Sequence, residues 1–409
     1  MLTQVAKEGS SSWAVGWEDV DWTAPVDRAM SRRQQLASRG PYQAAVPPFI
    51  AGLPVDVDPQ TATEAAEASM ELVRFDAEVS RTLGADNAEV SPLSAVLLRT
   101  ESASSSQIEQ ITAGARALAL ATIGESTGPN AALVAANAGA MDRAIALSED
   151  ITARGIVEVQ EVLMGGSSPG VTGAFREGPV WIGGRGSTPH TAAFVAPRPE
   201  RVPELMEDLV AFTRRTDVSP FVQTAVAHAQ FETIHPFSDG NGRTGRALAH
   251  AMLRHYGITR RVTVPVSAGL LANVETYYAA LGTYREGDLG AIVREFAEAA
   301  FMACTRGRML VGDLEQLLET WTARLRARSH AAVWRALPVV MSQPAVTVRF
   351  LAERTGVSEP AASHAVEQMV DAGILAPVGE RRRNRVWIAG EVLDVLDDFA
   401  QSSSRRRRG

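Results

Sequence analysis

A chain of 409 residues is longer than one ordinary core and implies two or three domains. With 45% hydrophobic and 21% charged residues it reads as soluble and globular, and no run approaches the roughly 18 consecutive apolar residues of a membrane span. A net charge of -7 gives no overall pull toward nucleic acid, and the single Cys304 excludes both an internal disulfide and a multi-cysteine zinc site.

Residues 1 to 60 are punctuated by prolines, Pro41, Pro47, Pro48 and Pro54 among them, and are expected to wrap the surface of the helical region C-terminal to them. Met1 to Gly9 has no long apolar run and carries Glu8, so no secretory signal is expected and the cytoplasm is the default compartment. Thr61 to Leu83 has the spacing of an amphipathic helix, and Pro92 to Leu98 that of a shorter one. The serines Ser102, Ser104, Ser105 and Ser106 ahead of Glu109 read locally as a helix start, a Ser cap with a carboxylate in the first turn. Ala113 to Leu120 and Asn130 to Leu163 are Ala-rich and helical, interrupted by Gly124, Gly128 and Pro129. Gly165 to Pro199 changes character. Its β-prone pieces Gly178 to Gly184 and Thr191 to Val195 predict a hairpin joined through Arg185 to Pro189, with a long surface loop as the competing reading.

Val202 to Arg214 and Phe221 to Ile234 are the next helices. His228, two turns before His235, is expected to be a satisfied core histidine. Pro236 then disfavours helix at His235. Asp239-Gly240-Asn241-Gly242 has the chemistry of a turn whose bare N–H groups can approach a ligand, and a new helix opens directly after it, an arrangement that cradles anions. Asp239 is a hard oxygen ligand suited to Mg²⁺, Arg243 and Arg246 share one helix face, and His235 is the candidate general base. Phe237 is expected to anchor the loop in the core. Val262 to Ser267 reads as extended, Asn273 to Leu281 as helix, and Leu289 to Thr305 and Leu310 to Arg328 as two more helices. Ala345 to Ile388 reads helix, turn, helix, hairpin, with Arg381, Arg382, Arg383 and Arg385 at the hairpin tip, and a basic tail ends the chain.

The stretch His235-Pro236-Phe237 through Arg246 resembles the signature of the Fic family, HPFx(D/E)GNGRxxR, with every specified position present. The resemblance implies a mainly α fold: a helical Fic core with a β-hairpin flap, then a C-terminal winged helix-turn-helix domain. Expected boundaries are an N-terminal extension at 1–60, a core at 61–310, a linker helix at 311–335, the winged helix at 336–400 and a tail at 401–409. It implies transfer of AMP from ATP to a protein Tyr, Thr or Ser hydroxyl. His235 would be the base, Asp239 would hold Mg²⁺, and Gly240, Asn241 and Gly242 would form the anion hole. Arg243 and Arg246 would take phosphates, and Tyr277 and Tyr278 would border the adenine. Ser105 and Glu109 match the family's inhibitory (S/T)xxxE(G/N) pattern, with Gln110 where Gly or Asn is usual, so Glu109 would pair with Arg246 and occupy the γ-phosphate space.

The expected partners are ATP and an unidentified target protein, with self-modification, a homodimer and DNA at the winged helix as further candidates. Ser358, Ser363 and His364 would face a major groove, although the helix they sit on carries Glu359, Glu367 and Asp371 and no Lys or Arg. Two alternatives stay open. One is removal of AMP from a modified protein, with Glu109 orienting a water; the other is a nucleotide-sensing DNA-binding regulator.

Overall fold

The computed structural model describes residues 12–22, 40–82, 92–125, 128–165, 172–184, 188–379 and 384–404. Two short strands, β1 (Gly16–Val20) and β2 (Tyr42–Val46), pair antiparallel in the region where only a surface wrap was expected. Alternation explains them. Ala45 packs to one side with Val15, Phe194 and Ala196, and Tyr42 and Ala44 pack to the other with Val195. Asp58 then caps α1 (Pro59–Thr82), accepting from the N–H groups of Gln60 and Thr61 at 3.0 Å each.

The next four helices are α2 (Pro92–Ile108), α3 (Ala115–Thr122), α4 (Pro129–Leu147) and α5 (Ala153–Met164). The expected single run from Asn130 to Leu163 divides because the Thr152 hydroxyl accepts from the Gly155 N–H at 3.0 Å and starts a new helix there. Next come β3 (Trp181–Ile182) and β4 (Phe194–Val195), an antiparallel hairpin with Trp181 opposite Val195; of the expected turn, 185–187 lie outside the described residues. The strands are two residues each, shorter than the sequence suggested, and Trp22 meets Trp181 edge-on at 5.8 Å, so the N-terminal strands back this hairpin.

At the centre lies α7 (Pro220–Ile234), buried at every position from Phe221 to Ile234 and preceded by α6 (Val202–Thr213). Around it are α8 (Asn241–His255), α9 (Val266–Ala272), α10 (Val274–Arg285) and α11 (Gly290–Arg324). The two expected helices at 289–305 and 310–328 are one continuous helix of 35 residues, which runs through the expected core boundary at 310. Gly307, between the two expected helices, is a close approach: a Cβ there would lie 2.7 Å from the Phe75 ring of α1.

The C-terminal elements are α12 (Ala332–Ser342), β5 (Ala345–Val346), α13 (Val348–Thr355), α14 (Glu359–Asp371), β6 (Ala376–Pro377), β7 (Trp387–Ile388) and α15 (Gly390–Ser404). The strands form one sheet in the order β5-β7-β6. Thr347 and Ser358 cap α13 and α14, and the turn between them contains Gly356 at φ 67. Arg381, Arg382, Arg383 and 405–409 lie outside the described residues. α15 returns against α11 and the start of α3, where the Asp397 carboxylate accepts from the Ala115 N–H at 2.9 Å. No helix among the described residues is long and apolar enough to cross a membrane.

Candidate active site

His235 closes α7 in a left-handed conformation, φ 49 and ψ 62, with its N–H donating to the Phe231 carbonyl at 2.9 Å. Pro236 forbids further helix there, and the loop turns back on itself. Asn241 holds it: its Oδ1 accepts from the Phe237 N–H and its Nδ2 donates to the Phe237 carbonyl, both at 2.8 Å. The Asn241 side chain is therefore a clamp, and only its backbone N–H is left for a ligand. Gly240 opens α8 at φ 79, and its own N–H is taken by the Asp239 carboxylate at 2.6 Å. The first turn of α8 thus holds N–H donors that have no partner within the helix. Phe237 is fully buried against Phe175 and Phe231, as expected of an anchor.

Both arginines are occupied from another helix. Arg243 Nε donates to Glu109 Oε2 at 2.7 Å, and Arg246 Nη2 donates to Glu109 Oε1 at 2.9 Å. Arg246 also donates through Nε to the Ser105 hydroxyl and through Nη2 to the Ser105 carbonyl, both at 2.8 Å. Burial pulls the Arg246 pKa down, but the acidic groups around it, Glu109 first, with Tyr277 and Glu232, together outweigh burial and hold this guanidinium above its ordinary range. There is no slack around Glu109, since a Cβ on Gly242 would lie 2.5 Å from its Oε1.

The Ser105 to Glu109 segment is the end of α2, a correction to the helix-start reading. The Gln110 N–H donates to the Gln107 carbonyl and the Ile111 N–H to the Ser106 carbonyl, the Schellman pattern, and Gln110 takes φ 63. That explains why glycine or asparagine suits this position: only they enter the left-handed region cheaply. Gln110→Gly should therefore raise stability by about 1 kcal/mol, read from urea unfolding.

His235 sits in a pocket that sequence reasoning did not foresee. Arg176, 4% exposed, donates to the carbonyls of His235 at 2.8 Å, Gly178 at 3.0 Å and Pro197 at 2.6 Å, tying the β3–β4 hairpin to the His235 loop. Arg285 lies 3.8 Å above the Phe194 ring of β4. Burial, then the charges of Arg176 and Arg285, hold the His235 imidazole down at about 3, so the ring is neutral and its side chain remains 16% exposed. Its Nδ1 has no hydrogen-bond partner and lies 3.9 Å from Glu232 Oε2.

Glu232 is the second residue that no local pattern announced. Burial holds its carboxyl up at about 7. Between its ordinary value of 4.5 and that point the folded chain keeps a proton that the unfolded chain gives up, so stability is lost as pH rises through the window. Glu232→Gln should remove this loss: from about pH 5 to 8 the variant should gain roughly 3 kcal/mol on wild type in urea titrations.

Of the two tyrosines expected at an adenine, Tyr277 is a core residue at 1% exposure, its hydroxyl 2.9 Å from His228 Nε2. Adjacent helical positions point in different directions, so Tyr277 turns into the core and leaves almost no surface, and Tyr278 is the one of the pair that is open. Tyr278 is 50% exposed, and its hydroxyl donates to the Ile108 carbonyl at 3.1 Å, beside Glu109. His228 is fully buried, as expected of a core histidine. Asp239 is 63% exposed at its side chain and 3.8 Å from Arg243. Among the described residues no group of three or more His, Cys, Asp or Glu forms a metal cage. A single exposed carboxylate such as Asp239 is the kind of ligand that magnesium accepts alongside phosphate oxygens.

The helical core thus sets an imidazole beside a glycine loop and two buried guanidinium groups, both of them bound by one carboxylate from the end of α2. Residues 150–253 match the Fic/DOC family, and the chain carries a Fic domain there. Over 153 residues it is 29% identical to protein adenylyltransferase fic-1 of Caenorhabditis elegans, covering 37% of this chain and 27% of that protein. Over 103 residues it is 38% identical to a probable protein adenylyltransferase of Aquifex aeolicus, covering 25% of this chain and 29% of the relative. The chain thus spans less than a third of the length of these curated relatives. A Fic family protein from Desulfovibrio desulfuricans G20 shares the fold, with TM-score 0.52 and 23% identity over 82% of this chain and 97% of that one.

Proposed function

We propose that the chain is a self-restrained protein adenylyltransferase that moves AMP from ATP to a Tyr, Thr or Ser hydroxyl of a protein. The observation that carries this reading is the Glu109 plug, one carboxylate bound to both guanidinium groups that a triphosphate would need. The names of the curated relatives over the matched segment support the same chemistry. In the reaction the neutral His235 accepts the proton of the target hydroxyl, whose oxygen bonds to the α-phosphorus while the bond to the β-phosphate oxygen breaks and pyrophosphate leaves. The phosphate charge would raise the imidazole from about 3 toward the range useful to a base. The N–H groups at the start of α8 face the phosphates, with Arg243 and Arg246 gripping the outer ones once Glu109 leaves. Asp239 is the carboxylate that would hold Mg²⁺, which when bound would supply positive charge against that of the departing pyrophosphate.

We read residues 336–400 as a winged helix-turn-helix that braces the core. The exposed face of α14 bears Glu359, Glu367 and Asp371, which repel a phosphate backbone. Mass spectrometry of purified Glu109→Gly protein after incubation with ATP and magnesium tests the central reading. An AMP adduct on the chain or on an added lysate protein, absent when His235→Ala is combined with it, is expected. No adduct on either, or the same adduct without His235, overturns the reading.

A further inference from the structure

A cavity of 470 Å³ lies away from His235, between α2, α3, α4, the end of α8 and α13. Its wall carries four arginines, Arg99, Arg254, Arg261 and Arg354, against one carboxylate, Asp142. In a chain of net charge -7 this is a local concentration of positive charge, brought together from three separate stretches of sequence. Arg99 is the innermost of them. Its Nη2 donates to Gln343 Oε1 at 2.6 Å, but its Nη1 is buried with no hydrogen-bond partner. A buried guanidinium N–H without an acceptor is costly, and neither Asp142 nor the hydroxyls of the wall is hydrogen-bonded to this one. Arg261 and Arg354 are exposed at the mouth. A buried fork at the base, further forks at the rim and a volume within the range of ligand pockets are the features of a site for a compact, multiply charged oxyanion.

We propose that this cavity binds a small phosphorylated anion, of the size of a pyrophosphate or a nucleoside diphosphate, with Arg99 at its base and Arg261 and Arg354 at its rim. The site is separate from the Glu109 cradle and does not depend on the transferase reading. Its position gives it a consequence. Arg99 lies on α2, the helix that ends in Glu109, and Arg354 lies on the first helix of the C-terminal helix-turn-helix. A bound anion therefore bridges the two and holds α2 in place.

Isothermal titration of the full chain at constant ionic strength, with inorganic pyrophosphate in one arm and ADP in the other, tests this. Saturable binding in either arm is expected, and the arm with the higher affinity identifies whether phosphate alone or a nucleoside is read. Arg261→Gln combined with Arg354→Gln, both exposed and so safe for folding, should weaken binding by at least about tenfold. In hydrogen exchange, the ligand should slow the amides of residues 92–108 in wild type and not in the double variant. No saturable heat in either arm, or equal affinity in wild type and the rim variant, overturns the proposal.

Discussion

Incubated with ATP and magnesium, Glu109→Gly protein is expected to label itself or a target with AMP at least about tenfold faster than wild type. The magnitude comes from what the carboxylate does. It accepts one charge-assisted bond from Arg243 and one from Arg246, at 2.7 and 2.9 Å, and each such bond contributes roughly 1.5 to 3 kcal/mol. An incoming phosphate must displace both before it can be gripped, so the competent arrangement is populated only in proportion to that cost. Glu109→Gln, which keeps the shape and loses the charge, should fall between. Removing Glu109 also leaves two buried guanidinium groups without their acid, so ATP should raise the melting temperature of the glycine variant more than that of wild type. Adding His235→Ala to Glu109→Gly should reduce labelling by roughly 100-fold or more. Equal labelling of wild type and Glu109→Gly in a quantitative time course would sink the plug.

A second large effect is expected from a residue nowhere near the phosphates. Glu101, fully buried on α2, accepts from the Ser267 N–H at 2.8 Å and from the Ser267 hydroxyl, and lies 2.9 Å from His250 Nε2 of α8. Burial works to raise its pKa, but His250 and the Ser267 donors outweigh burial and hold the carboxyl below its ordinary value. A carboxylate so held contributes stability above the ordinary carboxylate range, and the contribution is lost as pH falls through the lowered value. Glu101→Ala strands His250 and the Ser267 N–H in the core and should cost about 3 kcal/mol in urea unfolding. Because the same contacts seat α2, the variant should also label faster than wild type although Glu109 is intact. Lost stability with unchanged labelling would mean that α2 is held elsewhere.

The sequence made the His235 loop legible because its chemistry is contiguous: imidazole, turn glycines and two arginines lie within one stretch, so spacing alone assembles them. The partners that reach it from a distance were not legible. Arg176 donates only to carbonyls, which every residue has, and nothing in its neighbourhood marks it. Glu232 went unremarked on a stretch read simply as a helix, and nothing local shows that α7 is buried all round. The Ser105 to Glu109 segment carried its residues in plain view, yet serine before a carboxylate suits either end of a helix, and only the positive φ of Gln110 decides. The β1–β2 pair went unread because its strands are five residues each, with no hairpin turn chemistry close between them.

The unbroken helix α11 sets a limit on how this molecule can be divided. At 1.5 Å per residue its 35 residues make a rod about 50 Å long. Its first half packs against α1, α9 and α10, and its second half carries Leu314 and Trp321, both buried, with the Trp321 indole donating to Glu391 of α15 at 2.7 Å. A fragment cut at residue 310 would leave a severed rod whose oily stripe had lost its cover. The two halves are therefore one mechanical piece, with no joint at which evolution or an experimenter can part them without resurfacing the stump.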